Sequence, residues 1–211
     1  MRLGACHKSG EIGPVCIESG RPVAAIAIHC KVAHINSFVR IPLLALRQRL
    51  RPLPRIGVLD EDRVEMRVWP NDIDFNFHLN NSRYLTCMDY GRIHMLAASG
   101  ILGIVVRRRW TPLVGSIDIV YRRSLPLWMP FTLTTRNLCW DERWFYMEQT
   151  IRFREGLAST AWVKALFQDR GTNVPPQFVV DLVQPGLTSP QLLESMAMWN
   201  QLTREKLGTR S

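Results

Sequence analysis

The stretch from Asn71 to Asn81 gathers two aspartates, Asp72 and Asp74, one histidine, His78, and asparagines on either side of them. A carboxylate in such company can take a proton from water or attack a carbonyl carbon itself. What it does depends on what lies beside it. A helical apolar pattern begins right after Asn80 and Asn81, either of which can cap a helix. The N–H groups at a helix start favour negative charge. A thioester carbonyl set there would have its oxyanion held while Asp74 acted as base or nucleophile. His78 and Asn80 would position the carbonyl, the water or the carboxylate. Asp72 fits better as a turn former ahead of the helix.

The flanking elements must hold this turn. Val64, Met66 and Val68 alternate with Glu65 and Arg67, which predicts a strand that Pro70 ends. The pattern of Leu85, Met88, Ile93, Leu96 and Ala97 predicts a helix over 81–99, with Gly100 in the place of a C-terminal glycine. The period then changes to two. Strands are expected over 113–123, 131–140, 144–153 and 157–167, joined by the turns at 141–143 and 154–156. Such short connections allow only antiparallel pairing. One long apolar helix and a curled sheet can bury each other, and the sheet's open edges lead us to expect a homodimer or a dimer of dimers. A short segment over 176–183 follows. Ser189 and Pro190 read as the cap and first position of a last amphipathic helix that carries Leu192, Leu193, Met196, Trp199 and Leu202.

With 211 residues, 46% hydrophobic and 21% charged, the chain can build one full core. Its net charge is +9, and only four of its 27 basic residues are lysines. Arginine suits phosphate. The charge is scattered, however, and no nucleic-acid-binding signature is present, so a nucleic-acid partner is not expected. Five cysteines without CxxC spacing point away from a metal cluster and toward a reducing compartment. Residues 1–35 are expected to be a disordered or mis-started extension. In 36–55, Phe38, Ile41, Leu43, Leu44 and Leu46 alternate with Arg40, Arg47 and Arg49. This basic amphipathic pattern could lie on an anionic membrane surface through residues 36–51.

Asp72-Ile73-Asp74, then His78-Leu79-Asn80-Asn81, then Arg83-Tyr84, resembles the D-x-D…H-x-N-N-x-x-Y segment of hotdog-fold acyl thioesterases. The resemblance is to the 4-hydroxybenzoyl-CoA thioesterase-like branch and its THEM-type thioesterase-like proteins, and it covers residues 63–170. It places Asp74 where the family has its catalytic carboxylate, and His78 and Asn80 where it has an assisting histidine and asparagine. Asn81 and Tyr84 match positions at the head of the helix that lie near the acyl pocket or the subunit interface. Many relatives have a glycine near the helix start. Here the loop reads Phe75-Asn76-Phe77. A hotdog hydratase would want aspartate five residues before histidine through Asn-Pro, and neither aspartate has that spacing.

The expectation is therefore an α+β hotdog fold over 56–185, a long central helix wrapped by a curved antiparallel sheet, with the N-terminal amphipathic segment before it and a C-terminal helix over 186–211. Its expected activity is hydrolysis of an acyl thioester, an acyl-CoA above all, with no metal or cofactor. Asp74, His78 and Asn80 would be catalytic. Asn81 and Tyr84 would bind substrate, the acyl chain lying beside Tyr84, Leu85 and Met88 in an apolar pocket, and Arg122 and Arg123 would meet CoA phosphates. The other reading is a non-catalytic acyl-binding or membrane-associated hotdog scaffold. The expected location is cytoplasmic, peripheral at the inner membrane face.

Overall fold

The computed structural model describes residues 53–154, 156–206 and 208. The extension 1–35 and the basic segment 36–51 lie outside the described residues. Strand β1 (Asp62–Arg67) leads through a 3₁₀ turn over Pro70–Asp72 into helix α1 (Asn81–Ala98). A second helix, α2 (Ile101–Arg108), follows, then strands β2 (Thr111–Tyr121), β3 (Pro130–Trp140), β4 (Phe145–Phe153), β5 (Gly156–Asp169) and β6 (Thr172–Val174). Helices α3 (Pro176–Asp181) and α4 (Glu194–Lys206) close the chain. Every strand pair is antiparallel, and the main path runs β1-β3-β4-β5-β2. The sheet wraps α1, which is the hotdog arrangement expected from the sequence.

The face that α1 buries is not the one its most apolar residues mark. Tyr84, Cys87, Met88, Gly91, Met95 and Ala98 face the sheet, and only Met88 belongs to the expected stripe. The reason is close approach. A Cβ on Gly91 would stand 2.6 Å from Leu133 Cδ2 and 2.8 Å from Thr135 Oγ1, so the missing side chain lets the helix backbone lie on β3. Ile93 and Leu96 line instead an apolar cavity of about 150 Å³ beside Leu113 at the start of β2.

Polar groups tie the same helix to the sheet. Gln149, fully buried on β4, donates to the Met88 carbonyl at 2.9 Å and to Thr135 Oγ1 at 2.9 Å, and accepts from Arg92 at 2.6 Å. Buried amides and cations need such partners. His94 Nδ1 lies 2.7 Å from Asp62 Oδ2 on β1.

Three further differences from the expectation have local causes. Gly100 does end α1 with φ +82, but the chain turns there straight into α2, whose Ile101, Ile104 and Val105 fill a second core cluster with Trp110, Phe145 and Phe167. Strand β6 adds a short pairing to the end of β5. The last helix starts at Glu194, because Ser189 is used elsewhere. Its Oγ accepts from the Trp140 N–H at 2.8 Å and donates to the Trp140 carbonyl at 2.6 Å.

Candidate functional site

The loop before α1 is organised by its own side chains. Asp72 is buried and accepts from the Trp69 N–H at 3.2 Å, and its other oxygen lies 4.0 Å from Arg83 Nε. Arg83 also donates to the Asn71 carbonyl at 3.2 Å. Asp72 is thus the turn former expected of it. Asp74 closes the next turn. Its Oδ1 accepts from the Asn76 N–H at 2.8 Å and lies 3.5 Å from the His78 N–H. Its backbone N–H meets the His78 carbonyl at 2.9 Å. No hydrogen bond occupies its Oδ2 among the described residues. Phe77 sits at the tip in the left-handed region, φ +59, where a glycine would be at ease.

Asn80 caps α1. Its Oδ1 accepts from the Ser82 N–H at 2.9 Å and from Ser82 Oγ at 2.7 Å, and its carbonyl accepts from the Arg83 N–H at 2.8 Å. The Asn81 N–H, first of the helix, has no protein partner among the described residues.

These residues open onto a cleft of about 340 Å³ at the head of α1, lined by Asp74, His78, Asn81, Tyr84, Arg122 and Arg123 among others. Four of the five residues singled out from the sequence meet there. Asn80 does not line it, because its side chain is turned back into the cap. The cleft is polar, contrary to the expectation of an apolar pocket around Asp74. Phe75 is 89% and Phe77 70% exposed, so their rings leave the carboxylate uncovered. Nor does an acyl chain have room beside Met88, which is fully buried among core residues such as Leu133 and Ile151.

The far wall comes from the end of β2, which the spacing of the motif does not reveal. Tyr121 donates to the Asn81 carbonyl at 3.3 Å and meets the Tyr84 ring edge to face at 5.1 Å. Tyr84 donates to the Arg123 carbonyl at 3.3 Å. Burial pushes the Tyr84 phenol up to about 12 and moves Tyr121 in the same direction. Both hydroxyls therefore stay protonated at neutral pH and hold helix head and strand end together as donors. Tyr121, a strand residue by pattern, could have been suspected only from its aromatic hydroxyl at a strand end. Among the described residues no group of three histidine, cysteine, aspartate or glutamate side chains could hold a metal ion.

Known proteins share this fold. The profile of the Thioesterase-like superfamily matches residues 68–186. Protein THEM6 of Xenopus laevis is 33% identical over 165 residues, covering 77% of this chain and 77% of that protein. A probable thioesterase from Bartonella henselae superposes with a TM-score of 0.51 at 24% identity, over 55% of this chain and 98% of that one. A Staphylococcus aureus protein solved in complex with CoA superposes with a TM-score of 0.54 at 18% identity, over 65% of this chain and 94% of that one. The motif at the head of α1, the wrapped helix and these likenesses make the chain a member of the Thioesterase-like superfamily with the hotdog fold.

Proposed function

We propose that this chain hydrolyses an acyl thioester, an acyl-CoA, in the cleft at the head of α1. The observation that carries the reading is the meeting of Asp74, His78, Asn81, Arg122 and Arg123 around one opening. Asp74 takes a proton from water through Oδ2 while Oδ1 is steadied by its turn. The hydroxide adds to the carbonyl carbon. The Asn81 N–H, at the positive end of the α1 dipole, holds the oxyanion. The C–S bond then breaks, and the thiolate takes the proton that Asp74 holds, which restores the carboxylate. His78 holds water or carbonyl. Arg122 and Arg123 suit the phosphates of CoA.

The acyl group needs an apolar place that this polar cleft does not offer. Strand β2 supplies one if two copies pair. It is an edge strand with Leu113, Val114, Val120 and Tyr121 exposed. A two-fold axis that pairs this edge with itself makes the pair antiparallel. The Tyr121 end of one copy then lies beside the Leu113 end of the other. That brings the Asp74 cleft next to the second copy's apolar cavity under Ile93 and Leu96, so the dimer would complete the site.

The test is hydrolysis of a panel of acyl-CoAs, aromatic and aliphatic, by the wild type and by Asp74→Asn. The expected result is turnover of at least one thioester and a loss of about 10²–10⁴ in the variant. Equal turnover by both would remove Asp74 from the mechanism. A second reading, an acyl-binding scaffold without activity, draws on Phe77, a bulky residue in a left-handed turn, in a loop without the glycine that many relatives have near the helix start. A wild type inert toward the whole panel, yet still binding acyl-CoA, would favour it.

A further inference from the structure

The end of the molecule around the head of α1 carries four exposed phenylalanine and tryptophan rings, besides Tyr121 in the cleft wall. Phe75 is 89%, Phe77 70%, Trp69 50% and Trp128 47% exposed. Trp69 and Trp128 meet edge to face at 5.6 Å. The backbone joins the loops that bear them. Trp128 donates to the Val68 carbonyl at 3.1 Å, and Leu79 donates to the Leu125 carbonyl at 2.8 Å. Gathered apolar surface of this kind marks a place where something docks.

The backbone adds an independent observation. Phe77 has φ +59 and Trp128 φ +64, both in the left-handed region. A glycine would serve either turn without strain. Instead two bulky rings are held in a conformation they disfavour and turned outward, where their apolar area contributes little to the fold. A bound surface would account for both the strain and the exposure.

The charge at this end says which surface. Arg67, Arg122 and Arg123 are exposed here, and Arg67 donates to the Trp128 carbonyl at 3.1 Å. Of the nearby acids, Asp72 is buried, Asp74 is partly buried in its turn, and Glu65, exposed on β1, accepts from Thr132 Oγ1 at 2.8 Å. Tryptophan and phenylalanine rings beside arginines match the boundary between acyl chains and headgroups of an anionic bilayer. A second copy paired along β2 would not cover all of them. Trp69 follows β1 and Trp128 precedes β3, which form the sheet margin opposite β2.

We propose that this end of the fold docks on an anionic bilayer surface, with the Phe75-Asn76-Phe77 turn entering the acyl boundary. None of the residues named for this surface belongs to 36–51, and binding to it is read without any turnover. The test uses the full chain and vesicles of phosphatidylcholine mixed with phosphatidylserine. The Phe75→Ser/Phe77→Gly variant keeps residues 36–51 and relieves the turn, so its thermal melt should match or exceed the wild type. Its vesicle partitioning should fall at least about tenfold. Lipid brominated along its acyl chains should quench wild-type fluorescence, and Trp128→Phe should remove part of that quenching. Equal partitioning of wild type and variant, with the same quenching after Trp128→Phe, would overturn the proposal. So would a wild type that ignores the vesicles and a variant that falls to half its mass in sedimentation, because the patch would then be covered by a second copy.

Discussion

Asn80 and Phe77 show how single residues shape the candidate site. The family motif groups Asn80 with the catalytic set, yet its Oδ1 is occupied by the Ser82 N–H and hydroxyl. Asn80→Ala should therefore cost about 1 kcal/mol in thermal unfolding through loss of the cap, and Asn80→Asp should restore it. If Asn80→Ala unfolds like the wild type, the cap is not what the side chain is for. Phe77 carries the strain of a bulky residue at φ +59. Phe77→Gly should raise stability by up to about 1 kcal/mol, since the strain relieved exceeds the entropy that glycine adds to the unfolded chain. A denaturant midpoint that moves down would mean the tip gains something from its ring. The turn-forming role of Asp72 was legible from order alone, because a carboxylate ahead of a helix has few ways to satisfy itself. That Asn80 turns away was not, because Asn80 and Asn81 are equally good caps on paper.

At the scale of elements, α1 and β3 meet through an absence. Alanine is the better helix former by about 1 kcal/mol. Even so, Gly91→Ala should destabilise the protein by roughly 1–3 kcal/mol, because the new methyl would overlap Leu133 and Thr135. A variant more stable than the wild type would show that helix and sheet can part at no cost. The C-terminal helix α4 is held by a polar cluster. Tyr146 donates to Asp141 Oδ2 at 2.6 Å and accepts from Asn200 on α4, and the Lys164 ammonium donates to Asn200 Oδ1 at 3.0 Å between the rings of Trp144 and Trp199. The apolar pattern of α4 was readable. Its start was misread, because Ser189 has a tertiary partner in Trp140 that no local rule supplies.

For the whole molecule, the open edge of β2 is the main question. The chain has a mass of 24.3 kDa. Sedimentation should give twice that value. Val114→Lys/Val120→Lys, which puts like charges on the exposed edge strand, should bring it down to a single copy. Thioester hydrolysis should fall with it, since the acyl cavity would then come from the lost partner. A monomer with full activity would mean that one copy holds the entire site. The sequence leads toward this dimer only by way of an unpaired sheet edge. That β2 is one of the two edges follows from the strand order, which is settled when β5 pairs with both β4 and β2.

By itself the sequence determined the α+β class, the antiparallel strands, the long helix and the turn with Asp74 and His78. Each of these is written in local period and turn chemistry, which depend on residues a few positions apart. Tertiary structure decided which face of α1 is core, because Gly91 permits a contact that hydrophobicity does not announce. It also brought Tyr121, Arg122 and Arg123 across to the head of α1, some forty residues along the chain. A site assembled from distant segments depends on how the sheet curls around the helix, and that curl is a property of the packed whole.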